Sequence, residues 1–219
     1  MTDGPVTPPP GGMPGVPASL VDRVKNILIT PKTEWPRIDA EPATVGSIFT
    51  GYVMILAAIG PIASLIGQQV FGISMWGINW KPSIGYSIGS AVLTYIMTLV
   101  VIYVSALITN ALAPSFGGTQ DQVKALKVTA YSWTPGLVAG IFGIIPMLGW
   151  LALLAMLYGF YLLYLGLPVL MRVTQDKAIG YTIVIIVVNI ILYFVMAFIV
   201  ALLVATFFAA TMPGPVIRY

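Results

Sequence analysis

GYTIVIIVVNIILYFVMAFIVALLVATFFAAT, residues 180–211, decides the fold. No charged residue interrupts it, and Asn189 is its main polar side chain. A helix rises 1.5 Å per residue, so this run exceeds the roughly 30 Å of a bilayer's hydrocarbon layer, and tilt takes up the excess. Four further apolar runs lie upstream, near residues 46–70, 84–112, 125–145 and 147–170. Composition agrees. Charged residues make up 8% of the chain and the mean hydropathy is +0.97, whereas a soluble domain carries about 25% charged residues to face water. The expected fold is all-α: a polytopic transmembrane bundle of five spans, preceded by an amphipathic interfacial helix.

Outward from the runs, the chain divides into four parts. Residues 1–18, with TPPPGGMPGVP, lack any apolar period and read as a disordered tail, not a signal peptide, so the first span is expected to be a retained anchor. Residues 19–43 form a juxtamembrane segment, 44–212 the five-helix membrane domain, and 213–219 a short tail. In SLVDRVKNILIT, Leu20, Val24, Ile27 and Leu28 recur at helical spacing while Arg23 and Lys25 fall largely opposite. That pattern predicts a helix in the headgroup plane, capped by Ser19 with Asp22 as reciprocal partner. Packing on the protein's own face is the competing reading. Trp35 suits the membrane interface, and Pro36 is expected to interrupt the short turn that Pro31 starts.

Lys and Arg set the orientation. Arg23, Lys25, Lys32, Arg37, Lys124, Lys127, Arg172 and Lys177 fall on one side of five alternating spans, leaving Lys81 and Arg218 on the other. This bias places the N-terminus in the cytoplasm. The 125–145 run is the weakest span, with a re-entrant segment as its alternative.

The residue inventory excludes most chemistry. Cys and His are absent, removing the usual zinc, haem and iron–sulfur ligands, and no cofactor is expected. Every Asp and Glu lies outside the apolar runs, so no intramembrane proton relay is expected, nor an enzyme. Near Asp121, Thr119 and Gln122 have the spacing of a capping box. The small basic excess is too scattered for nucleic acid.

Within the runs, Gly85 with Gly89 and Gly136 with Gly140 form GxxxG pairs, which predict close helix packing. The densest polar group is TAYSWTPG, residues 129–136. Pro135 frees the carbonyl near Tyr131, and Ser132, Thr134 or a facing Tyr158 or Tyr161 are the candidates to satisfy it. Such a polar kink either locks the bundle or lines a cavity.

Three stretches give the chain a family likeness: ILITPKTEWPRIDAEPATVGSIFTGYV (27–53), AYSWTPGLVAGIFGIIP (130–146) and LYGFYLLYLGLPVLMRVTQDKAIGYT (157–182). In this order it resembles the Yip family of Ypt/Rab-interacting-protein-like membrane proteins, in the form typical of bacterial and archaeal members. The resemblance implies a five-helix Yip domain with a cytoplasmic N-terminus, in a prokaryotic inner membrane. Eukaryotic relatives act in vesicle trafficking with Rab-type GTPases. Their acidic Asp-Leu-Tyr-Gly-Pro-like motif is absent here, so that role is not carried over.

Two functions follow. One is a non-enzymatic scaffold that binds lipid or a membrane or cytoplasmic protein, with homo-oligomerisation open. The other is a passive transporter, channel or lipid-transfer protein with a cavity near residues 131–135. The missing intramembrane charge favours the scaffold.

Overall fold

The structure, a computed structural model, describes residues 19–75 and 78–211; the two tails read from the sequence lie outside them. Helix α1, Leu20–Ile29, starts where Ser19 Oγ accepts the Asp22 N–H at 3.2 Å and donates to the Asp22 carboxylate at 2.6 Å. Helix α2, Pro31–Ala40, follows at once with proline in its first turn. It does not stop at Pro36, contrary to expectation. The ring frees only the carbonyl four residues back, that of exposed Lys32.

The first apolar run forms α3, Val45–Phe71, opened by a Thr44–Ser47 capping box. It is not regular. A π-helical turn occupies Phe49–Val53, and the helix breaks at Ala58, three residues before Pro61. Gly72 ends it at φ 75°, a left-handed conformation natural to glycine. A short antiparallel hairpin, β1 Ile73–Met75 and β2 Ile78–Trp80, leads to α4, Ile84–Leu112.

The third run is not one helix. Its first piece, α5, covers Gln122–Ser132. Asp121 is the cap, its Oδ1 accepting the N–H groups of Val123 and Lys124 at 2.9 and 3.0 Å. Thr119, the expected cap, is held in the loop by its N–H bond to the Met171 carbonyl at 2.9 Å. The helix breaks at Trp133, resumes as α6 (Thr134–Ala139), and decays into 3₁₀ turns over Gly140–Ile144 and Pro146–Leu148. Helices α7, Leu151–Leu170, and α8, Gln175–Thr211, complete the chain. Among the described residues four helices are long and apolar enough to cross a membrane: α3, α4, α7 and α8. The third run drops out because Pro135, Gly136, Gly140 and Gly143 divide it.

That broken segment is nonetheless the centre of the bundle. Every residue from Ala125 to Ser132 is buried. Helix α8 is the opposite: Ile183, Ile191, Phe194, Phe198 and Leu202 are exposed along it, a surface for lipid. Close packing comes from glycines seven apart, two helical turns on one face. A methyl group on Gly140 would stand 2.7 Å from Gly60 Cα, and one on Gly67 would strike the Gly143 carbonyl. On α7, Gly159 faces the Ser132 carbonyl, and Gly166 faces Trp35 and Val128. Of the expected GxxxG residues only Gly140 packs this way. Gly85, Gly89 and Gly136 face open space.

Candidate functional site

Two assemblies hold the polar chemistry, one at the α1–α2 end of the bundle and one in its interior. At the α1–α2 end, the charged residues converge. Arg23 is buried and pairs through its two terminal nitrogens with Glu34 and Glu41. Burial alone would lower its pKa, but the hydrogen bond and charge of Glu41 outweigh that, and the guanidinium is held above its ordinary value. Lys127, also buried, reaches back from α5 to the carbonyls of Ile38 and Glu41 at 2.7 and 2.5 Å, satisfying the exposed C-terminus of α2. Asp39 joins Lys124 at 2.8 Å and Arg172 at 2.6 Å, tying α2 to the start of α5 and the end of α7. Arg172 occupies φ 57°, the left-handed position that usually falls to glycine beyond a helix end.

This clasp changes the reading of the amphipathic segment. Ile27 and Trp35 are 0% and 1% exposed. Leu20, Val24 and Leu28 pack against the same protein core. Trp35 lies edge-on to Tyr131 at 6.5 Å, with Arg23 over the same Tyr131 ring at 5.6 Å. Trp35 and Arg23 are buried, and a protein surface covers the apolar face for which the sequence left lipid and protein both open. Lys25 remains exposed, between Val21 and Ile29 on the outward side.

The expected polar kink is divided between this end and the bundle interior. Tyr158 donates to the Leu28 carbonyl at 2.8 Å, closing the last turn of α1. Tyr161 is half-exposed, its ring 5.8 Å from that of Tyr158. Thr134 shares a buried hydrogen bond of 2.7 Å with the Tyr52 hydroxyl. The π turn of α3 contains Tyr52, whose ring also packs 4.7 Å from that of Tyr131. Ser132 Oγ has no partner, though it is 96% buried.

Ser132 faces a cavity of about 530 Å³ that reaches from the middle of the bundle to the hairpin end at Ile73 and Tyr86. Pockets that hold small organic ligands run about 300–1,000 Å³. Segments α3 to α8 all contribute walls, and among the described residues no charged side chain lines it. Four buried polar atoms on these walls have no partner: Ser105 Oγ, Thr129 Oγ1, Ser132 Oγ and Asn189 Oδ1. Buried polar groups are nearly always hydrogen-bonded. Unpartnered atoms also occur elsewhere, such as Trp35 Nε1 and Gln122 Nε2, but here four share one hollow. Gly136 lines it too, and a side chain there would meet nothing.

Sequence reasoning named Ser132, in a polar stretch that begins at Thr129, but missed Ser105 and Tyr52 in this region. A signal was present. Ser90, Thr94 and Thr98 recur every four residues on α4 and all line the cavity.

Bilayer-length apolar helices around a buried broken segment, with charges gathered at one end, define a polytopic α-helical membrane protein. Sequence comparison specifies it further: the chain belongs to the Yip1 domain family, which matches residues 25–199. It is also similar to the inner membrane protein YohC of Escherichia coli K12, at 25% identity over 167 residues, covering 74% of this chain and 85% of YohC. YohC of Escherichia coli O6:H1 gives the same figures. No solved structure matches.

Proposed function

We propose that this chain is a non-enzymatic inner-membrane protein that holds an uncharged small molecule inside its bundle, as a carrier or transfer protein for it. The carrying observation is the cavity itself: four buried hydrogen-bonding atoms without partners, no charge, and walls from every segment of the membrane domain. Lone unpartnered polar atoms destabilise a bundle unless something meets them. Catalysis finds no support here, because Glu34, Asp39 and Glu41 are engaged in the clasp at the other end.

The topology we propose has five crossings with the α1–α2 end in the cytoplasm. The clasp brings residues 23–41, 124–127 and 172 to one end, which the alternation of an odd number of crossings requires. The broken segment reaches Gly67, four residues from the far end of α3, which supports a full traverse. Single cysteines at Asp3, Gln120, Gln175, Asn79 and Tyr219 test this in a chain with no native Cys. Positions 120 and 175 are expected to react only from inside the cell; labelling from outside refutes the arrangement.

A second reading, the scaffold, is favoured by the outward face of α1, where Val21 and Ile29 are 73% and 67% exposed. One experiment separates the two. Protein purified in native lipid is analysed for bound small molecules, alongside Gly136→Phe, a bulky side chain on the cavity wall whose Cβ meets nothing within 4 Å, and Val21→Ser/Ile29→Ser. A molecule retained by the surface variant and lost from Gly136→Phe supports the cavity. Retention by both overturns it.

A further inference from the structure

The cavity is open toward the bilayer, and this decides what enters it. Tyr193 on α8 and Met156 on α7 both line it, yet are 63% and 38% exposed on the lipid-facing surface. Beside it, between α4 and α8, lies a second hollow of about 200 Å³. The two share Tyr86 and Ser90 as walls, and the remaining walls of the smaller one are Gly89, Leu93, Leu203 and Val204. Gly89 leaves the space beside it free: nothing lies within 4 Å of where its side chain would start. A mostly apolar chamber with a few unpartnered polar atoms thus continues into an apolar groove along two membrane helices.

We infer that the occupant is a lipid with an uncharged, hydroxyl-bearing headgroup, of the diacylglycerol type, which enters sideways from the bilayer. This rests on the cavity reading above and names its ligand. The headgroup lies in the larger hollow, where Asn189 Oδ1 needs a donor and the hydroxyls of Ser105, Thr129 and Ser132 both donate and accept. Asn189 is fixed for this by its own Nδ2, which donates to the Ile185 carbonyl at 2.9 Å. An acyl chain follows the groove between Leu93 and Val204. A phosphate would enter a chamber with no cation to meet it, a cost that a neutral headgroup does not carry. A water-soluble solute would leave the groove empty.

The test uses the full chain in phosphatidylcholine nanodiscs with a photoactivatable diacylglycerol at low mole fraction. Matched phosphatidic acid and free glycerol serve as comparison ligands. The diacylglycerol probe is expected to label saturably, with peptides carrying Leu93 or Val204 modified, and unlabelled diacylglycerol competes. Gly136→Phe and Asn189→Leu each lower labelling about tenfold, the loss that follows from blocking or unpairing one well-placed polar contact. Gly89→Leu, in the groove alone, lowers it while leaving the chamber intact. Variants are first checked for unchanged helicity and elution. Equal labelling by phosphatidic acid, or labelling unmoved by both Gly136→Phe and Asn189→Leu, overturns the inference. Thermal stabilisation by glycerol without lipid labelling overturns it too, and leaves the cavity reading standing. Neither lipid nor glycerol binding, with no native molecule retained, means water alone fills the hollow and overturns both.

Discussion

The α1–α2 end and the interior of this bundle treat buried polar groups differently. At the α1–α2 end, charged groups taken out of water are paired within the chain: Arg23 with two glutamates, Lys127 with two carbonyls, Asp39 with two cations. In the interior, Ser105, Thr129, Ser132 and Asn189 are buried with polar atoms unmatched around a hollow. Charges cannot be left unpaired in a low-dielectric interior, so they force closure. Neutral hydroxyls and amides cost less to leave open. Here the charged cluster is closed by pairing, and the hollow is lined by uncharged groups among the described residues.

The largest expected effect breaks the closed end. Arg23→Ala leaves buried Glu34 with only the exposed Arg37, 3.7 Å away, and takes from Glu41 its cation; removing one partner of a buried pair costs about 3–5 kcal/mol. Lys25→Ala, on the exposed side of the same helix, is expected to stay within about 0.5 kcal/mol. Thermal unfolding in detergent compares them. Similar midpoints for the two variants would mean that the clasp does not hold α1 and α2 to the bundle.

A smaller effect sharpens where the helices touch. Gly140→Ala and Gly67→Ala each put a methyl group against neighbouring backbone, and overpacking of that kind costs about 1–3 kcal/mol. Gly85→Ala and Gly89→Ala meet open space. There the better helix propensity of alanine is expected to stabilise by about 0.5–1 kcal/mol. The same unfolding measurement reads both signs, and destabilisation at 85 or 89 would place an unseen partner on that face.

These contrasts mark what the sequence can carry. The apolar runs located α3, α4, α7 and α8 to within a few residues, because run length against bilayer thickness is a one-dimensional property. The cap at Ser19 was equally local. The fate of the apolar face of α1 was not: Leu20, Val24, Ile27 and Leu28 suit lipid or protein alike, and the core formed by segments about 100 residues away decides for protein. The glycine contacts were hidden for a related reason. GxxxG marks a face that two helices could share, while Gly60 with Gly67 and Gly159 with Gly166 pack at twice the turn. The cavity was least legible, since a hollow consists of what several segments fail to fill.

The smallest effect tests that hollow directly. Tyr52→Phe removes the partner of the Thr134 hydroxyl, a buried bond of 2.7 Å. Inside a membrane bundle such a bond contributes about 0.6 kcal/mol on average and up to roughly 1.7. Ser132→Ala, only two residues from Thr134, removes a hydroxyl with no partner. With nothing to lose but an unsatisfied group, the variant is expected to unfold at the wild-type temperature or slightly above it, once bound lipid has been stripped by detergent. Each substitution deletes one buried hydroxyl, so partnership is what the comparison reads once the helix propensity gained by Ser→Ala, up to about 0.5 kcal/mol, is allowed for. If Ser132→Ala loses as much stability as Tyr52→Phe, the Ser132 hydroxyl belongs to a closed network and the interior is built like the α1–α2 end.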